Sequence, residues 1–132
     1  MDYKTFFSYN DICNRGYDLK VTGRLNQGDF VSIDAAVDDF LQEVFNSLYD
    51  LIESYKGKKW TRFFFEDMAT EIDKELYPNA YEMQQTLKWA LIEQSVFIYE
   101  NGDVMTSGKV EPDKVGYSQK VIRKLWNSDL LG

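Results

Sequence analysis

The chain contains no histidine and only one cysteine, Cys13. Without imidazole there is no Ser-His-Asp or Cys-His catalytic arrangement and no His-based metal site. A single thiol makes neither an internal disulfide nor a thiolate zinc cluster, and it fits a reducing compartment. Cys13 follows Ile12 and reads as a small buried residue, not a nucleophile. The Gly-rich phosphate loops of the Walker and dinucleotide types are also missing. Proline is scarce, and no Pro/Ser-rich linker, internal repeat or low-complexity tract divides the 132 residues. One domain is the simplest organisation. No apolar run reaches the roughly 18 residues of a spanning helix. The opening Met1-Asp2-Tyr3-Lys4 has neither the charged start nor the apolar stretch of a signal peptide. No catalytic residue, metal, cofactor or membrane partner is therefore expected.

What is present is apolar side chains and rings. The hydrophobic share is 44 % and the aromatic share 16 %, too apolar for a disordered chain. So many rings imply either a core built on them or a sticky surface. The formal charge is −7, which disfavours gripping phosphates. That charge is unevenly spread. Residues 29–55 hold seven acidic side chains and no basic one, and Lys56, Lys58, Lys59 and Arg62 follow at once. A second basic run, Lys120, Arg123 and Lys124, lies near the end. Such patches are either solvated faces or partners for opposite patches on a neighbouring copy.

Periodicity predicts a mainly α protein, with four to five helices in one domain. The clearest helix covers about 33–55. Ile33, Val37, Phe40, Leu41, Val44, Leu48, Leu51, Ile52 and Tyr55 recur at three- and four-residue steps. Ser32 is its expected N-cap and Gly57 its stop. Asp38, Asp39, Glu43, Asp50 and Glu53 project away from the stripe. Phe45 and Tyr49 lie off its edge, as edge-of-core packing or as a second contact surface. Residues 60–65 read as a strand or the start of a further helix. A helix over 66–77 carrying Met68, Ile72 and Leu76 is expected to end before Pro78. A third clear helix covers 80–101, capped by Asn79 and stopped by Gly102. It is apolar on two sides: Ala80, Met83, Leu87, Ala90, Leu91 and Ile98 on one, and Tyr81, Trp89, Ile92, Val96 and Tyr99 on the other. Such a helix is central in the domain or shared with another subunit. Residues 102–117 form a long loop or a small β-hairpin. Ser118 caps a last helix bearing Val121, Ile122, Leu125 and Trp126, and the tail Leu130-Leu131 is apolar. Near the start, Ser8 and Asp11 suggest a capped short helix, and Gly16, Gly23 and Gly28 punctuate the segment between it and the first long helix.

Carboxylates spaced by one helical turn, Glu71 with Glu75 and Asp34 with Asp38, read as solvated faces in the absence of a marked cleft. The run Glu100-Asn101-Gly102-Asp103 lacks the spacing of a calcium loop and reads as a helix end.

Several segments, in order, carry a family likeness. Tyr3-Lys4-Thr5 leads to Asp11-Ile12 and Gly16. A long helix exits through Ile52-Glu53-Ser54-Tyr55-Lys56-Gly57 into an aromatic run. Ala90-Leu91-Ile92-Glu93-Gln94 and Tyr99-Glu100-Asn101-Gly102 precede a long loop, Ser118 and Leu130-Leu131-Gly132. Through most of its length the chain resembles the head-tail connector (adaptor) proteins of tailed bacteriophages. The resemblance implies a non-enzymatic helical domain whose copies form a ring beneath the portal, extend the DNA channel and offer a surface to a tail or stopper protein. Its implied place is the neck of the virion, and the host cytoplasm during assembly. The free chain would be a monomer or already a ring, and DNA would pass without specific binding. On this reading Phe45, Tyr49, Trp89, Ile92, Val96, Tyr99, Trp126, Leu130 and Leu131 are candidate contacts between copies or with partners. Asp38, Asp39, Glu43 and Asp50 are candidate channel-facing acids that let DNA slide. The alternatives are an acidic inhibitor that mimics DNA, a small helical protein-interaction domain, and a small enzyme using carboxylates alone.

Overall fold

The apolar stripe that begins at Ile33 folds as helix α2, Ile33–Lys56. The computed structural model describes residues 2–17, 30–67, 74–101 and 116–132. Its described residues hold four further helices: α1 (Tyr9–Cys13), α3 (Lys58–Arg62), α4 (Pro78–Asn101) and α5 (Gln119–Asn127). A 3-10 turn at Tyr3–Thr5 and a π turn at Phe63–Asp67 complete them. The fold is mainly helical in a single small domain, with no strand among the described residues.

Capping chemistry sets the helix ends. Ser32 accepts the Ala35 N–H through its hydroxyl at 3.1 Å, satisfying one of the donors that a helix start leaves open. Ser8 and Asp11 form the reciprocal capping box of α1. Pro78 occupies the first position of α4, where its missing N–H costs nothing. Asn79 is therefore inside the first turn of α4 and does not cap it. The expected helix over 66–77 is not seen in its described parts: 63–67 form the π turn and 74–76 a turn. Residues 68–73, 18–29 and 102–115 lie outside the described residues, and with them Gly23, Gly28, Gly102 and the expected loop or hairpin. Cys13 is half-buried, not fully buried.

The core is built on rings as much as on aliphatic side chains. The opening turn delivers Tyr3, Phe6 and Phe7, α2 delivers Phe40 and Phe45, and the π turn delivers Phe64 and Phe65. Phe6 stacks on Phe45 at 5.1 Å, and Phe65 meets Phe45 edge-on at 5.8 Å. Such pairs add about 1 kcal/mol each beyond the area they bury. Helix α4 is central, packing against α1, α2 and α5. That is why it is apolar on two sides: Leu87, Ala90, Leu91 and Ile98 are buried, and so are Val96 and Tyr99.

Two polar devices hold neighbours onto α4. Glu93 pairs with Arg15, just past α1, and with Lys120 of α5 at 3.8 Å. The buried Gln94 amide donates to the Gly116 carbonyl at 2.9 Å and accepts the Ser118 N–H at 3.0 Å. Ser118 sits at the N-cap of α5, but its side chain makes no capping bond. Gln94 supplies the fixing instead. Tyr117 completes the clamp by donating its hydroxyl to the Ser47 carbonyl of α2 at 3.1 Å.

Candidate functional site

Gly57 alone separates α2 from α3, with φ 87° and ψ 159°. That combination is essentially restricted to glycine. It turns the chain sharply enough to bring α3 and the π turn beside the end of α2. Three consecutive phenylalanines then divide their work. Phe64 and Phe65 point into the core, and Phe63 stays 51 % exposed. π turns interrupt helices and frequently occur at functional sites.

Around Phe63 lies a continuous aromatic and basic end face. A cleft of ≈ 260 Å³ is lined by Lys56, Trp60, Phe63, Phe64, Ala80, Met83 and Asp129. Trp60 stacks on Phe64 at 5.1 Å, and the Lys56 ammonium sits 4.6 Å from the Trp60 ring centre. Phe63 also borders a shallower depression with Lys58, Lys59, Arg62 and Glu66. Arg62 is held by Glu66 at 3.0 Å. Lys58 and Lys59 are exposed and make no ion pair among the described residues. Lys56 donates to the Gly132 carbonyl at 3.0 Å, which draws the end of the described chain to the same face. Beside it Tyr55 and Trp126, 53 % and 43 % exposed, meet edge-to-face at 5.1 Å.

The residues singled out from sequence fall into three groups. Phe45, Val96, Tyr99, Leu130 and Leu131 are buried within the chain's own core. Within the single chain their apolar surface is already covered. The tail in particular folds back: Leu130 and Leu131 both donate their N–H groups to the Leu125 carbonyl, at 3.0 and 3.3 Å. Tyr49, Trp89 and Ile92 pack partly buried against the core. Burial pushes the Tyr49 phenol up from its ordinary value, and nearby Glu53 and Glu66 add to this. Trp89 is covered by Lys120 and Lys124, whose ammonium groups lie 5.6 and 5.4 Å from its ring centre. Trp126 alone of the nine is exposed.

Among the acids, Asp38 and Asp50 are exposed, whereas Asp39 and Glu43 are half-buried. The four do not form one open acidic row. Asp38 is also engaged, accepting the Tyr3 hydroxyl at 2.6 Å with the Lys4 ammonium 3.9 Å away.

Sequence reading passed over Trp60 and Phe63 as site residues. The signal was present, since a basic run flows directly into an aromatic run at 56–65. Chemically, the face offers ring surface, two open ammonium groups and a small apolar cleft, a combination suited to holding a protein segment. Among the described residues no group of acidic or cysteine side chains is arranged to hold a metal ion, and no helix is long and apolar enough to cross a membrane. Comparison with known proteins gives no match among family models, curated proteins or solved structures.

Proposed function

We propose that this chain is a non-enzymatic assembly protein of the head-tail connector kind. Copies of it form a ring beneath a portal, join capsid to tail, and surround DNA without binding it specifically. One observation carries the reading. A small helical domain presents an exposed aromatic and cationic end face around Phe63, Lys58, Lys59, Tyr55 and Trp126. Rings exposed to this extent on so small a domain favour a protein contact. The exposed acids Asp34, Asp38 and Asp50 lie elsewhere on α2. Unlike patches on one domain suit head-to-tail contacts, which close into rings when the rotation between copies permits. The DNA-mimic alternative is weakened because Asp38 is tied to Tyr3, and Asp39 and Glu43 are half-buried.

The test is co-elution with the portal protein encoded in the same genome. The expected result is a stable complex that Phe63→Ser combined with Trp126→Ser breaks, with helical content unchanged. A chain that never associates with the portal, or one that inhibits a nuclease instead, contradicts the proposal.

A further inference from the structure

Helix α5 carries charge of one sign. Its nine residues include Lys120, Arg123 and Lys124 and no acidic side chain. Val121 and Leu125 are buried, which turns the three cations and Trp126 to the surface. The Lys120 and Lys124 ammonium groups lie 5.6 and 5.4 Å from the Trp89 ring centre, which holds the row against α4. At the far end of α5, Trp126 meets Tyr55 edge-to-face at 5.1 Å, and both rings are exposed. Tyr55 leads on to Lys58 and Lys59, which are exposed too. Cations and open rings thus alternate along one band. Glu93 offsets Lys120 in part, at 3.8 Å, and Asp129 follows the helix. Arg123, Lys124, Lys58 and Lys59 make no ion pair among the described residues. The formal charge of −7 does not set the field here. Asp34, Asp38, Asp39 and Glu43 stand twelve or more residues before Tyr55, which is about 18 Å or more along α2. Charge acts over only about 10 Å in 0.1 M salt.

We infer that this band binds single-stranded nucleic acid without sequence preference, with phosphates on the cations of α5 and bases stacked on Trp126 and Tyr55. A row of cations alone fits any polyanion. The rings choose among polyanions. An unpaired base has a flat face to lay on an indole or a phenol. An acidic peptide brings carboxylates for the cations but no such face, and a duplex keeps its faces inside its own stack. This activity goes beyond the connector reading and stands independently of it.

The test titrates a fluorescein-labelled oligo-dT of about 20 nucleotides with the full chain in about 50 mM salt. Anisotropy is expected to report binding whose log affinity falls with log salt at a slope of about −2 to −3, that of three or four phosphate contacts. Arg123→Glu combined with Lys124→Glu is expected to weaken binding by about tenfold or more and to flatten that slope. Trp126→Ala is expected to weaken it by about fivefold or more at unchanged slope, the loss of one base stack. Tyr55→Leu reads the same stack from the other ring. These variants change exposed side chains, and circular dichroism checks that each stays folded. A duplex of the same length is expected to bind more weakly, and poly-glutamate to compete poorly. Absence of binding at that salt overturns the inference. So do ring variants that bind like the wild type, or a duplex held as tightly as the single strand. Equal competition by poly-glutamate overturns it as well and points to an acidic protein partner instead. Portal co-elution is read separately and bears on the connector reading alone.

Discussion

Gln94 shows how much one residue decides here. Its buried amide serves a carbonyl and an N–H on the strand of chain that enters α5. Gln94→Leu leaves both backbone groups short of a partner and is expected to lower stability by about 2 kcal/mol, read as a lower urea midpoint at unchanged slope. An unchanged midpoint would show that water replaces the amide. Tyr3 makes a pH-dependent case. Burial, first, and then the hydrogen bond to Asp38 raise its phenol well above the ordinary value. A raised folded value means that the linked stability is fully present below about pH 10, the unfolded value, and is lost as pH rises beyond it. Wild-type Tm is therefore expected to fall faster than that of Tyr3→Phe above about pH 10, and equal slopes would contradict the linkage. Neither role was legible in the sequence. Periodicity shows which residues face inward, yet a buried glutamine or tyrosine finds its partner only when distant segments meet. The same limit explains Phe45. An off-stripe ring looks spare on a single helix and becomes core once the opening turn and the π turn cover it.

At the level of elements the sequence was far more informative. The stripe from Ile33, the Ser32 cap and the Gly57 stop predict α2 almost to its ends, because each depends on neighbours within a turn or two. Residues 60–65 stayed ambiguous for a physical reason. A short bulky run suits strand and helix alike, and the deciding feature is the Gly57 corner. Gly57→Ala is expected to cost about 1–3 kcal/mol, the strain of a side chain in that conformation, and to move α3 enough to disturb the Trp60 and Phe63 face. Thermal unfolding together with the near-ultraviolet tryptophan signal reads both effects. The end of α5 carries the complementary case. Asp129 sits at φ 65°, its N–H reaches the Trp126 carbonyl, and Leu130 reaches the Leu125 carbonyl. This is a Schellman ending with aspartate where glycine is preferred. Asp129→Gly is expected to stabilise the protein by up to about 1 kcal/mol, and a fall in Tm would contradict this account of the ending.

For the whole molecule, the fold class was legible and the aromatic and basic end face was not. Basic and aromatic runs stand side by side in the sequence, but their exposure depends on the corner at Gly57 and on the tail drawn in by Lys56. The candidate acids implied by the resemblance differ in exposure: Asp38 and Asp50 are exposed, Asp39 and Glu43 are half-buried, and Asp38 accepts the Tyr3 hydroxyl. What remains is a small helical domain with a ring-rich cationic face. A contact made through the exposed lysines of that face weakens with ionic strength, because screening acts over about 10 Å in 0.1 M salt. The most direct test is negative-stain imaging of the purified chain in low salt, alone and with purified portal protein. The account predicts closed rings with a central hole, on their own or seated on the portal. Single particles of monomer size in both samples would contradict it.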